Sequence, residues 1–281
     1  MEGEQVASAA SGDVAIDLSI GEIGFMCEVL GLAPPPILGA LPWDGASGDV
    51  ADVLRNANRD ALLARRVLEI DGEDNLTANE AVAGILTIMC EPQLVIRMSR
   101  EDARAVRSRF IAAVPQVSLE IVGLRSNVWR LIPFPNEVLL ARIRDFTCLG
   151  EATAELSPPA TVTVSALDAC TEAVQNTDTA AATAALVEGG ADAGAAEGLA
   201  VALGGRTSSA RIDLVHSPEP GSIDGLELVW FESGAGPWIV EPVDDESGAT
   251  AAMRFQPASD DRIVGQVVSS LPRELASSLI L

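Results

Sequence analysis

One histidine, His216, and four cysteines, Cys27, Cys90, Cys148 and Cys170, are the side chains in this 281-residue sequence most able to start nucleophilic or metal chemistry near neutral pH. Neither set forms a constellation. A serine hydrolase needs a base beside an exposed nucleophile, and the chain has no Gly-x-Ser-x-Gly elbow to present one. His216 lies near Pro218 at the end of a predicted strand, where it reads as a turn residue. Every basic side chain is Arg, so neither a P-loop lysine nor a Schiff-base lysine is available. The cysteines make no Cys-x-x-Cys pair and no zinc spacing. Cys27, Cys90 and Cys170 fall in apolar helical patterns and read as small core residues. Asp71-Gly72-Glu73-Asp74-Asn75 with Glu80 lacks the alternating acids and central glycine of a calcium loop, and reads as a solvated turn. Asp244-Asp245-Glu246 reads as another solvated loop. Gly234-Ala235-Gly236-Pro237 lies between predicted strands, not before a helix, which argues against dinucleotide binding. No catalytic residue, metal or cofactor is therefore expected.

With catalysis disfavoured, the balance of charge and apolar surface carries the functional reading. The formal net charge is −23. Residues 1–150 hold 13 Arg against 21 acids, and residues 151–281 hold 5 against 20, so the second half is the more acidic. Such a chain repels nucleic-acid phosphates and anionic membranes, and neither is expected as a partner. Hydrophobic residues make up 48% of the sequence, enough to fill a core. The opening MEGEQVASAASGD has no basic or apolar signal region, and no apolar run approaches the roughly 20 residues of a membrane span. A cytoplasmic protein is the expectation. The absence of Lys and Tyr, with abundant Ala, Val, Gly and Asp, suits a GC-rich genome.

The elements begin after a polar, flexible stretch at 1–14. Ser19 and Glu22 form a capping box ahead of Ile23, Met26, Cys27 and Leu30, one face of a helix that Gly31 and Pro34-Pro35-Pro36 end. A second helix is expected from Ser47 or Asp49, with Val53, Leu54, Ala57, Ala61 and Ala64 inward. Asp71-Gly72 marks a turn. Thr77 and Glu80 suggest a capping box before Val82, Ile85, Leu86 and Met89. Leu94, Ile96 and Met98 then alternate as in a strand. Residues 99–114 fit either a helix or a strand. Val117, Leu119 and Ile121 alternate again, Gly123–Asn127 reads as a hairpin loop, and Val128–Ile132 as its partner strand. Asn136 is placed to cap a helix carrying Leu139, Leu140 and Ile143.

Past a linker at 146–160, the order of events restarts. Ser165 and Asp168 suggest a capping box, followed by an Ala-rich stretch, 177–203, expected to be helical and broken at least once at its glycines. Strands are expected around Ile212 and Leu214, Leu226 to Trp230, Trp238 and Val240, and Met253 and Phe255. Ser259 should cap a final helix. The predicted fold is α+β: one domain over 15–281, with half 1 at 15–145 and half 2 at 161–281. Each half reads helix, strands, helix. Neither has enough strands to cover its own apolar face, so a pseudo-twofold molecule with one shared antiparallel sheet flanked by helical bundles is expected.

The segments LSIGEIGFMCEVLGLAPPPIL, ANRDALLARRVLEIDGEDNLTANEAVAGILTIMCEP and ARIDLVHSPEPGSIDGLELVWFESGAGPWIVEP resemble the EspG family of specificity chaperones for type VII (ESX) secretion. In the last segment Trp230, Glu232, Gly236 and Trp238 stand near the positions of a family-like Trp-containing stretch. The resemblance implies a cytosolic chaperone that binds a helical secretion substrate, a PPE protein of a PE–PPE pair, and shields its apolar tip. It also implies that the first half's hairpin loop, here Gly123, Leu124, Arg125, Ser126 and Asn127, and a helical bundle of the second half, here drawn from 177–203, contact that substrate. The loop is shorter than such a contact would suggest. Two other readings remain open: a small-molecule-binding or enzymatic α+β protein with an unrecognised site, and a client-free structural homodimer.

Overall fold

The computed structural model describes residues 15–125, 127–147, 158–217, 222–234, 236–244 and 250–279. The chain packs as two compact units, Met1–Pro92 with Ile111–Asn136, and Gln93–Phe110 with Glu137–Leu281.

The first unit opens with strand β1 (Ile16–Ser19), which runs directly into helix α1 (Ile20–Leu30). The expected capping box is present. The Glu22 amide donates to Ser19 Oγ at 3.1 Å and the Ser19 amide to Glu22 Oε2 at 2.7 Å. Gly31 ends the helix with φ +68°, a left-handed conformation that costs glycine nothing. Ile23, Met26 and Cys27 are fully buried. Helix α2 (Gly48–Ala64) starts where expected, at Ser47, but of the five residues expected inward only Leu54 is partly buried. Ala51 and Leu62 are buried, whereas Val53 is 67% exposed and Ala57, Ala61 and Ala64 are also exposed. The inward side is fixed by α1. A Cβ at Gly21 would lie 2.6 Å from the Asn58 amide, so α2 presents its Leu54–Asn58–Leu62 side there.

Asp71 sits in a hairpin between β2 (Leu68–Ile70) and β3 (Leu76–Ala78), and its Oδ1 accepts the Glu73 and Asn75 amides. Thr77 belongs to β3. The cap of α3 (Glu80–Cys90) is Asn79 instead, whose Oδ1 accepts the Ala81 and Val82 amides. Strand pairing to Ala78 removes Thr77 from the cap position. Val82, Ile85, Leu86 and Met89 are all buried, as their spacing predicts.

Residues 99–114 are strand, not helix. They form β4 (Leu94–Asp102) and β5 (Val106–Ala113), joined by a turn in which Asp102 Oδ1 accepts the Arg104 and Ala105 amides. β6 (Val117–Arg125) and β7 (Val128–Pro135) follow as an antiparallel hairpin. Asn136 caps no helix in the expected way. Its amide donates to Val114 O at 2.9 Å and its Oδ1 accepts the Ser118 hydroxyl at 2.7 Å, so it is a buried tie between strand ends. A short 3₁₀ turn then leads into α4 (Leu139–Thr147), in the second unit.

The second unit holds β8 (Ala160–Thr163), α5 (Val164–Gln175), α6 (Thr179–Glu188), α7 (Ala193–Gly204), β9 (Ser208–His216), β10 (Asp224–Ser233), β11 (Gly236–Asp244), β12 (Thr250–Pro257), α8 (Asp260–Ser269) and α9 (Arg273–Leu279). The cap of α5 is Thr163, whose Oγ1 accepts the Ala166 amide, not Ser165. Thr163 closes β8 just as Ser19 closes β1, which places the helix start two residues earlier than the sequence suggests. α9 is an element that the sequence pattern does not predict. Of the predicted linker, Phe146 and Thr147 are buried in α4 and Ala160 is buried in β8; residues 148–157 lie outside the described residues.

The strands hydrogen-bond in the order β1-β7-β6-β5-β4-β9-β10-β11-β12-β8. Read from either edge, the sequence of events is the same: a short strand that enters a capped helix, then four strands in reverse chain order. The central pair, β4 and β9, is antiparallel from Leu94↔His216 to Asp102↔Ser208. The α+β class, the shared antiparallel sheet and the repeat are thus present.

Candidate protein-interaction surfaces

The hairpin at 123–127 is built by the β6–β7 ladder, which runs from Val117↔Pro135 to Arg125↔Val128 with a register shift between Gly123 and Arg125. A bulge of this kind twists a strand and turns its last side chains outward. Gly123, Leu124, Arg125 and Asn127 are exposed, and Leu124 shows 41% of its surface. Ser126 lies outside the described residues. The hairpin is braced from behind: the Ile20 amide at the start of α1 donates to Asn127 O at 2.9 Å. Next to it, Arg130 and Asp17 form a two-pronged ion pair across β7 and β1, at 2.8 and 2.9 Å. The Arg130 guanidinium holds the Asp17 carboxyl below its ordinary range, and Asp17 pushes Arg130 up in turn. Both braces act on β7, from the side of β1 and α1, while Leu124 lies in the register shift of β6 with no partner in the β6–β7 ladder.

The Ala-rich stretch folds as α6 and α7, broken at Gly189–Asp192, as expected. Most of its alanines face inward. Ala182, Leu186, Ala195, Ala196, Leu199 and Ala202 pack with Cys170 of α5 against Phe231, Trp238 and Phe255 of the sheet. Phe231 stacks on Trp238 at 6.4 Å and meets Phe255 edge-on. Small side chains let the helices close up: a Cβ on Gly189 would stand 2.3 Å from Ala166 Cβ. The outer side is a different surface. Val164, Val187 and Val201 are 39, 42 and 55% exposed. Among them stand Asp168, Glu172, Asp178, Glu188, Asp192 and Glu197, all exposed, and α5–α7 contain no basic residue.

The Trp-containing segment serves the core. Trp230 and Trp238 are buried, and Gly236, with φ +102°, allows the tight β10–β11 turn. Glu232 pairs with Arg100 at 3.0 Å, and the same guanidinium donates to Thr147 O, tying β4, β10 and the end of α4 together. No spacing rule pairs residues 132 positions apart, so this tie is invisible in the sequence.

His216 closes β9 opposite Leu94 and Asp224. It lines a cavity of about 690 Å³ with Gln93, Ser217, Asp224, Ser270, Arg273 and Glu274 among others. The Ser217 hydroxyl donates to Ser222 O at 2.8 Å. Among the described residues no group of three or more His, Cys, Asp or Glu is placed to hold a metal ion. No helix among them is long and apolar enough to cross a membrane. Cys27 and Cys170 are fully buried, Cys90 is half-buried, and Cys148 lies outside the described residues.

No family model and no curated protein matches the chain. Solved structures do. The Mycobacterium tuberculosis type VII secretion system chaperone EspG5, solved in complex with the PE25–PPE41 dimer, is 14% identical, with a TM-score of 0.60 over 92% of this chain and 98% of that chain. An identity this low speaks for architecture, and that architecture spans nearly the whole of both proteins. The fold of this chain is the EspG-like fold that its residues resemble.

Proposed function

We propose that this protein is a cytoplasmic chaperone, not an enzyme, which binds a type VII (ESX) secretion substrate and keeps it soluble until export. The observation that supports this most is the fold match to EspG5 over 98% of that protein, because EspG5 was solved holding a PE–PPE dimer. The proposed client is accordingly the PPE member of a PE–PPE pair, or another helical hairpin. Gly123, Leu124, Arg125, Ser126 and Asn127 are the proposed contact on the first unit, with Leu124 as its apolar point. The outer surface of α5–α7 is the proposed contact on the second. Its exposed valines set in acidic residues fit a client surface of apolar residues rimmed by basic ones. A net charge of −23 keeps such a protein soluble while it exposes that surface.

Affinity capture of the tagged full chain from the cytosol of its native cells, followed by mass spectrometry, tests this reading. Recovery of a PE–PPE pair or another ESX substrate is the expected result. Recovery of the chain alone, from cells that express such substrates, would refute it.

A further inference from the structure

Cys27 lies in the last turn of α1 and Cys90 is the final residue of α3, and their Sγ atoms are 3.6 Å apart. They are separated by 63 positions, so only the packing of α1 on α3 brings them together. We infer that Cys27 and Cys90 form a site of reversible disulfide formation, oxidised by thiol–disulfide exchange with a low-molecular-weight disulfide.

Three features of the site support this. A disulfide needs its sulfurs at about 2.05 Å, so they must close by about 1.5 Å. Cys90 is the last residue of α3, where the backbone adjusts more easily than inside a helix; past it the chain already leaves the helix at Glu91, with φ −127° and ψ 52°, whereas Cys27 is held by the Leu32 amide on its carbonyl. The thiols already share a hydrogen bond, which aims one sulfur at the other. Finally, their exposure differs: Cys27 is fully buried and Cys90 is half-buried. Exposure makes Cys90 the sulfur that a small disulfide reaches first, although its bond to Cys27 and burial push its thiol up, so only the small deprotonated fraction reacts and the first step is slow. The Cys90 thiolate attacks the small disulfide RSSR, forms a Cys90–S–S–R bond and releases RS⁻. The Cys27 thiolate then attacks Cys90 Sγ and releases the second RS⁻. Two protein thiols are oxidised, one small disulfide is reduced to two thiols, and the two protons lost by the protein end on the departing RS⁻ groups. The new bond clamps α1 to α3. At its other end α1 carries the Ile20 amide that braces the hairpin at Asn127, so the clamp lies on the element that holds the proposed contact loop.

The test is to equilibrate the purified full chain over a series of oxidised-to-reduced glutathione ratios, quench in acid, alkylate under denaturing conditions and measure intact mass. The expected product has lost two hydrogens and keeps two of its four cysteines alkylatable. Cleavage at Arg should then yield one peptide pair joined through Cys27 and Cys90. Cys27→Ala should instead hold a lasting glutathione adduct on Cys90, and Cys90→Ser should stay unmodified at both positions, so either variant suffices if the other does not fold. Four alkylatable thiols at every ratio would overturn the inference. So would a lasting adduct on Cys90 in the unsubstituted chain, or a bond that involves Cys148 or Cys170.

Discussion

Asp17 and Arg130 face each other across β1 and β7, and their bond is the kind of local charge balance that pH can probe. The carboxyl of Asp17 is depressed in the fold, first by its bond to Arg130. A depressed acid stabilises the fold above its unfolded value of about 3.9, and that contribution is lost as pH falls through the lower folded value. Asp71 and Asp102 are depressed too, chiefly by the backbone amides of Asn75 and Arg104. Acid unfolding should therefore take up protons below about pH 4, and Asp17→Asn should flatten that limb of a stability–pH curve measured by urea titration. The effect is small, because the Asp17 and Arg130 side chains are 41 and 44% exposed and water screens them. Leu124 gives the functional counterpart. It is exposed, so Leu124→Asp should leave the folding midpoint within about 0.5 kcal/mol of the parent. Client affinity, read by calorimetry, should drop at least about tenfold if the hairpin is a contact. At this scale the sequence is legible where bonding is local: the Ser19–Glu22 box and the Gly31 cap follow from residue type and spacing. Thr77 and Asn136 take other roles than their spacing predicts because a strand or a distant carbonyl claims the residue first, and Ser165 falls inside α5 because Thr163, at the end of β8, caps that helix; no local pattern carries this information.

Among the elements, α5 and α6 meet closely enough for single methyl groups to count. Gly189 has φ −76°, so alanine fits the backbone there, but its Cβ would collide with Ala166 Cβ. Gly189→Ala should cost about 1–3 kcal/mol by urea denaturation. Ala166→Gly in the same chain should recover part of that loss, a coupling that two independent sites would lack. Trp238→Ala removes the ring on which Phe231 stacks and against which the bundle packs, and should cost about 3–5 kcal/mol. Strands with one buried face, such as Leu94–Ile96–Met98, are plain in the sequence. The stretch 99–114 is not, because β5 runs Ile111, Ala112 and Ala113 buried on both faces and so shows no alternation. β1 and β8, four residues each, are too short to show a period at all. The inward side of α2 is hidden for a related reason. Its exposed Val53, Ala57, Ala61 and Ala64 repeat as a core stripe would, and only the approach of α1 decides which stripe is buried.

For the molecule as a whole, the same strand order read from either edge makes the EspG-like fold recognisable at 14% identity. The order of capped helix and strands in each half is legible from periodicity alone. The edge strands that complete each half are not, since their pairing to β7 and β12 is decided by the sheet. The proposed contact surfaces follow the same division. The hairpin and the Ala-rich stretch can be placed by position, but packing sets which of their side chains face outward. An acidic surface on α5–α7 should also make client binding weaken as salt rises, a slope that Glu172→Gln with Glu188→Gln should reduce. The most direct measurement is co-expression of the full chain with a PE–PPE pair, followed by size-exclusion chromatography with light scattering. A stable complex containing all three chains, with the PPE protein less soluble when this chain is left out, is the result the account predicts. Separate elution of this chain, with the pair equally soluble in its absence, would contradict it.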